Sequence, residues 1–563
     1  MSFYNFAGLG ITCVLAVFLL TSAGKRPRDY PPGPPTLPII GNLHQIPRKK
    51  AHLQVQRWAQ EYGPIYSLIL GTKVLIVLST DQAVKNLLDK RGSIYSSRPE
   101  RYIAQDIISG GGRVVLMVEL RRLMELKQPY NETLRSIRTL AHRILNINVT
   151  DTYIPYQDLE NKAMLMDMLE RPEAFIDHVR RYTTALTTQM AFGFRMRTME
   201  DPRARQMFDG FRRFNELAGS QVRLFALEIS LTGSRKQIAN ILDIFPVLRH
   251  LPDLVLPVRR YAKELYAKEH KLFLDEYQNV KKSIEEGKEV PCFCSDLIRL
   301  QQKEGFSDTS GAYISGSFLQ AGSETTSAVL LGFVQAMVIF PNVSKMAQNE
   351  LDAVCKDRLP DLGDLQKLPY VRACVKESLR WMPTDILGVP HAITRDDYYN
   401  GYKIPKNAEI IFNHRTIHND PQRHHNPRIF DPSRWSHDNQ TSAEAATNPD
   451  VTKRDHFVYG AGRRLCQGMH IADRSMFLAM ARLLWAFDFK RVVNEETGAE
   501  IVPDMGNLTG GLFVAPEPFE ANIVPRDPKK AACVREEWTK MIELLDDEMQ
   551  WKEYPKDLVW NKV

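Results

Sequence analysis

Cys466 stands in FVYGAGRRLCQG, residues 457–468, with three glycines around it and Arg463 and Arg464 just before it. Glycines permit tight turns and close approach of backbone to a bound group. Backbone N–H groups in such a loop can hydrogen-bond a sulfur and tune its electron donation to a metal. An apolar helical pattern follows, MHIADRSMFLAMARLLWAF. A cysteine at a helix N-terminus is expected to have a lowered pKa. Taken alone, the loop reads equally as a thiolate ligand or as a buried free cysteine at a loop–helix junction. AGSETTS, residues 321–327, lies inside an apolar run that includes Phe318, Leu319, Ala328, Val329 and Leu330. Gly322 followed by Thr325 and Thr326 is expected to weaken the helix ladder and open a kink. The Thr325 hydroxyl can then hold water while Glu324 supplies protons, an acid–alcohol pair. A solvated polar patch is the alternative. KESLR puts Glu377 and Arg380 on one helix face, and FDPSRW places Arg434 in a turn-rich segment. In isolation the first pair reads as an ordinary surface ion pair.

These residues must be positioned by a large scaffold. The 563 residues are 44% hydrophobic and 25% charged, an ordinary globular composition. The net charge of +7 is spread along the chain. No basic run tracks nucleic acid, so no nucleic-acid partner is expected. Seven scattered cysteines argue against a disulfide scaffold; Cys292 and Cys294 read as structural. Ile65–Ser79 reads as a hairpin turning at Gly71–Thr72. Helices are expected over Ala163–Leu169, Asp177–Phe192, Val258–Glu286 and Tyr313–Phe340, the last stopped by Pro341. The fold class is therefore mainly α with a minor β part.

Phe6–Ala23 is uncharged and about long enough to cross a bilayer. Lys25, Arg26 and Arg28 follow it, which places the C-terminal side in the cytosol. A cleaved signal peptide is the rival reading. Residues 1–24 are thus expected as a transmembrane anchor and 25–36, with PPGPP, as a stiff basic hinge. Residues 37–525 form the main domain. Residues 526–563 are expected as a charged, helical tail, an appendage on the surface.

The Cys466 loop resembles the haem-binding signature of the cytochrome P450 superfamily, F-G-x-G-x-R-x-C-x-G. Gly460, Gly462, Arg464, Cys466 and Gly468 match it. Tyr459 stands where Phe is usual, which keeps the ring, and polar Gln467 follows the cysteine. AGSETTS, KESLR and FDPSRW resemble three further motifs of the family, in the family's order. The resemblance runs from the anchor to about Pro525.

The resemblance implies a triangular helical prism with a small sheet, preceded by one N-terminal transmembrane helix. It implies haem b (iron protoporphyrin IX), with Cys466 as the axial iron ligand. Arg464, His391 and Arg138 would hold the propionates. Glu324 and Thr325 would serve oxygen activation, and Glu377, Arg380 and Arg434 would form a structural network behind the haem. Leu134 replaces the family's usual tryptophan near Arg138, and Val118–Gln128 looks like an insertion. The implied substrate walls are Ile103–Ile108, Phe225–Leu227, Phe318, Leu387–Val389 and Leu512–Phe513. The implied reaction inserts one oxygen atom from O2 into an apolar small molecule. Electrons would come from the NADPH–cytochrome P450 reductase, at the endoplasmic reticulum membrane, in a filamentous-fungal secondary pathway. A non-oxygenating haem–thiolate enzyme, a non-catalytic haem protein and a decayed chain are the alternatives.

Overall fold

The hairpin forms as its alternating residues predict. In the computed structural model, strand β1 (Ile65–Leu70) pairs antiparallel with β2 (Lys73–Leu78), Ile65 opposite Leu78. Strand β3 (His391–Ala392) and β4 (Glu409–Phe412) complete a sheet of order β1-β2-β4-β3. The β2–β4 pair is parallel, with Leu75 opposite Glu409 and Leu78 opposite Phe412. The structure describes residues 24–47, 50–117, 130–218, 235–555 and 558. The expected anchor Phe6–Ala23, the segment Val118–Gln128, Phe225–Leu227 and the side chain of Leu134 lie outside the described residues.

The rest is mainly helical. The helices used below are α1 (Tyr130–Leu145), α2 (Ile154–Glu170), α3 (Phe175–Phe192), α4 (Pro202–Ala218), α5 (Pro257–Glu285), α6 (Asp308–Ile339), α7 (Pro369–Trp381), α8 (Met469–Ala486) and α9 (Pro528–Ile542). The expected helices are present and extend further at their N-termini. Ser307 caps α6 by accepting from Ser310 N at 3.2 Å. Pro341 cannot continue α6 and instead starts the next helix, Pro341–Cys355.

Helix α6 packs along α3, and α8 lies against α7 and α6. The sequence of α8 is apolar on nearly every face, so it is buried on nearly every face, Trp485 included. A Cβ on Gly322 would meet the Thr187 methyl at 2.5 Å, so glycine lets α6 and α3 approach closely. Among the described residues only α6 is long and apolar enough to cross a bilayer, and 78% of that apolar window is buried inside the protein. It is a core helix.

Two expectations about the chain ends are corrected. The proline segment is not a free spacer. Arg26 donates to Gly33 O (2.7 Å), Pro34 O (2.9 Å) and Ser67 O (3.0 Å), and Ser67 N donates to Pro32 O at 2.7 Å. Prolines carry no N–H, so the run offers mainly carbonyl acceptors, which Arg26 and β1 use.

The tail is not an appendage either. Asp527 caps α9, and Lys162 pairs with Glu537 at 2.8 Å. Beyond α9, buried Trp551 donates from Nε1 to Gln189 Oε1 at 2.7 Å, across 362 residues. Arg195 N donates to Gln550 Oε1 (2.7 Å) and Tyr554 OH to Gly193 O (3.2 Å), finishing the C-terminal end of α3. Charged residues are nearly half of this segment, and the apolar ones that dock it are interleaved among them. Trp551→Ala should cost roughly 3 kcal/mol of stability, as for other buried tryptophans. A denaturation midpoint equal to that of the parent would show that the tail only rests on the surface.

Candidate functional site

The cysteine loop is built by backbone hydrogen bonds before any ligand enters. Cys466 N donates to Tyr459 O at 2.8 Å and closes it. Gly462 N donates to Asp89 Oδ1 at 2.9 Å. Gly462 has φ +61°, and a Cβ there would collide with the Leu88 carbonyl, so the turn requires glycine. Arg464 donates to Ser96 O (2.8 Å) and Met117 O (2.9 Å). Gln467 Nε2 donates to Arg138 O at 2.7 Å, tying the loop to α1. This is what the polar residue after the cysteine does.

Behind the loop, Glu377 and Arg380 are fully buried. Arg380 binds both Glu377 oxygens, at 2.8 and 2.6 Å. Arg434 Nε reaches Glu377 Oε1 at 3.3 Å, Trp435 Nε1 reaches Oε2 at 3.2 Å, and Asp431 N donates to Oε1 at 2.9 Å. Arg380 Nη1 also donates to His418 O at 2.8 Å. The His418 ring in turn accepts from Phe457 N at 2.9 Å, the first residue of the cysteine loop. The three residues therefore form one network, and it reaches the loop through His418. The surface-pair reading of Glu377 and Arg380 is excluded.

A cavity of about 360 Å³ opens beside the loop. Its walls include Gly460, Arg464, Cys466 and Gly468 from the loop, Arg138 from α1, His391 from β3, and Thr325 from α6. Cys466 is exposed only in the sense that it borders this cavity; protein encloses it otherwise. Gly462 shapes the turn without lining the cavity. Glu324 does not line it either; the Arg180 cation on α3 acts on it. Burial pushes the Glu324 carboxyl up to about 8.

Three expectations change here. The ladder is not broken: α6 is helical from Asp308 to Ile339, and the Thr325 hydroxyl donates back to Ala321 O at 2.7 Å. That bond satisfies the hydroxyl without opening the ladder. The Cys466 thiol is raised rather than lowered. Burial outweighs the Gly468 N–H and the Arg138 charge, which favour the thiolate. Ile103–Ile108 do not line the cavity; Ile103 and Ile108 pack one layer behind it, in a core cluster with Leu116, Phe211 and Phe214, of which the two phenylalanines do line it. Of the other expected walls, Phe318, Val389 and Phe513 do line it.

Sequence reasoning missed Arg98, Arg113 and Gln320, which also line the cavity. Arg98 Nη1 donates to Val389 O (2.8 Å) and Pro390 O (2.7 Å). Nothing in its surroundings in the sequence marks it. His391 is buried and held neutral by burial and the Arg98 and Arg464 cations. Its Nδ1 lies 2.8 Å from Tyr95 O, which can only accept, so Nδ1 carries the proton. Nε2 donates only when the ring is protonated, which an anionic group in the cavity would favour.

Haem needs a soft ligand for iron, cations for two propionates and apolar walls. The cavity joins Cys466 to Arg98, Arg138, His391 and Arg464, with Leu465, Ile471, Val329 and Phe412 among its apolar walls. The residues present fit that group.

The comparisons agree. The cytochrome P450 family profile matches residues 31–500. Cytochrome P450 monooxygenase virE of Hypocrea virens is 56% identical over 98% of this chain and 95% of its own length. FogE of Aspergillus ruber, another protein of that description, is 53% identical, with 98% and 97% covered. FsoB of Humicola fuscoatra, also a cytochrome P450 monooxygenase, is 44% identical, with 97% and 96% covered. The chain belongs to the cytochrome P450 family. It is an enzyme of the monooxygenase class, built around a haem–thiolate centre.

Proposed function

We propose that this enzyme inserts one atom of O2 into an apolar small molecule of fungal secondary metabolism, by hydroxylation or epoxidation. The reading is carried by one observation: a single cavity joins Cys466, the cations Arg138 and Arg464, and Thr325 of α6. Haem b, when bound, supplies oxygen activation through its iron. Cys466 would hold its iron through the thiolate, a soft, electron-donating ligand. Arg98, Arg138, Arg464 and protonated His391 would hold the propionates. Glu377, Arg380 and Arg434 keep the loop in place.

Glu324 is the proton source in this reading. With its carboxyl pushed up to about 8, it holds a proton at neutral pH, as a donor must. Thr325 would pass that proton by turning its hydroxyl from Ala321 O toward the cavity. The apolar walls exclude bulk water.

Electrons would come from the NADPH–cytochrome P450 reductase. Exposed Arg135, Arg143 and Arg463, near the Arg138–Gln467 tie, offer cations to an acidic partner. Residues 1–24 would anchor the chain in the endoplasmic reticulum membrane, with the catalytic domain in the cytosol.

The test is turnover by the reconstituted holoenzyme with reductase and NADPH. Oxygenated product should form, and its rate should fall as pH rises through about 8, where Glu324 loses its proton. Glu324→Gln should slow oxygenation about a hundredfold and flatten that limb, with the reduced carbon monoxide band intact. NADPH consumption without oxygenated product would refute the monooxygenase reading. An unchanged limb in the variant would refute the role of Glu324.

A further inference from the structure

The cavity is mostly apolar, yet one part of its wall is built from buried polar groups that oxygen activation does not need. Arg113 is only 2% exposed and lines the cavity with Gln320 of α6. Its Nη2 donates to both oxygens of Glu269 on α5, at 2.9 and 2.7 Å. Nε donates to Ser109 Oγ at 3.2 Å, and Nη1 donates to Gln320 Oε1. Gln320 Nε2 returns to Glu269 Oε1 at 2.7 Å, and Tyr313 OH also donates to Glu269. The ring of Phe214 from α4 lies 3.6 Å from the guanidinium carbon. Arg113 is therefore fixed by α4, α5 and α6 together.

A guanidinium has five N–H groups. Among the described residues Nη1 has one partner, Gln320. Its second N–H has no partner among the described residues, on a side chain that lines the cavity. Glu269 already balances the charge, so the cluster is a neutral donor rather than a net cation. An anion here would face Glu269 without a cation of its own and would lose its hydration. A neutral acceptor would gain a hydrogen bond where water is scarce.

We propose that Arg113, held by Glu269 and Gln320, is a specificity-determining residue that anchors a neutral oxygen of the substrate, a carbonyl or hydroxyl. The substrate is then an apolar molecule already oxygenated at one end. Gln320 and Thr325 are five residues apart on α6, about 7.5 Å along its axis. A substrate anchored at Arg113 would extend along α6 toward Thr325, which lines the same cavity. The inference rests on the cavity's being the substrate site.

Three probes of similar size test it on the holoenzyme by calorimetry: butylbenzene, butyrophenone and 4-butylbenzoate. Butyrophenone should bind about tenfold more tightly than butylbenzene, and 4-butylbenzoate no more tightly than butylbenzene. The double variant Arg113→Met/Glu269→Gln, which leaves no unpaired charge, should bind ketone and hydrocarbon equally. Equal binding of the two by the parent overturns the proposal without any variant. Tightest binding of the carboxylate overturns the neutral-acceptor assignment. A ketone preference without NADPH-dependent oxygenation would refute the monooxygenase reading and leave this anchor standing. Oxygenation without the preference would do the reverse.

Discussion

Cys466→Ser is expected to abolish the red-shifted band of the reduced carbon monoxide complex and bring oxygenation to background. Serine keeps a short polar side chain at this position, but its hydroxyl is a hard, weakly acidic ligand where a soft thiolate is needed. The variant should still fold. Cys466 borders the cavity rather than filling the core, and the loop is closed by Cys466 N and Tyr459 O, backbone atoms that the substitution does not touch. The unfolding free energy should stay within about 0.5 kcal/mol of the parent's, compared in haem-free form, as for changes away from packed interiors. Retention of the red-shifted band by well-folded Cys466→Ser protein would remove the cysteine from its assigned place.

Glu377→Ala should be the most damaging change behind the haem, costing about 3–5 kcal/mol, the usual penalty for breaking a buried ion pair. The side chain has no exposure and receives donors from Arg380, Arg434, Trp435 and Asp431. Removing it leaves the Arg380 guanidinium buried with only carbonyl partners, His418 O among them. Because the His418 ring holds Phe457 N, the damage should pass to the cysteine loop and reduce haem content along with stability. The measurement is haem per protein chain together with the denaturation midpoint. A variant that keeps both would show that the network is dispensable.

What the sequence made legible was local. The glycine spacing around Cys466 encodes a turn whose tight approach to Leu88 is visible in the structure. Glu377 and Arg380 share a face because three residues make nearly one helical turn. The hairpin at Gly71–Thr72 needed only alternation. What stayed hidden depends on groups that meet across long stretches of chain. Arg113 finds Glu269 at a separation of 156 residues and Gln320 at 207. The Cys466 thiol was misread because a helix N-terminus is visible in a sequence and desolvation is not. The Thr325 hydroxyl was expected to face water, but a hydroxyl amid apolar residues can turn back on its own helix.

The contact between Gln189 and Trp551 also fixes when the protein can be finished. A ribosome adding 5–20 residues per second takes roughly 20 to 70 s to span the interval between them. Through that time the end of α3 has emerged while its partners Gln550, Trp551 and Tyr554 have not been made. The nascent chain thus carries an unclosed seam at the end of α3 until its last residues are made. A stop codon in place of Trp551 would yield a chain with every haem-side residue present and that seam never closed.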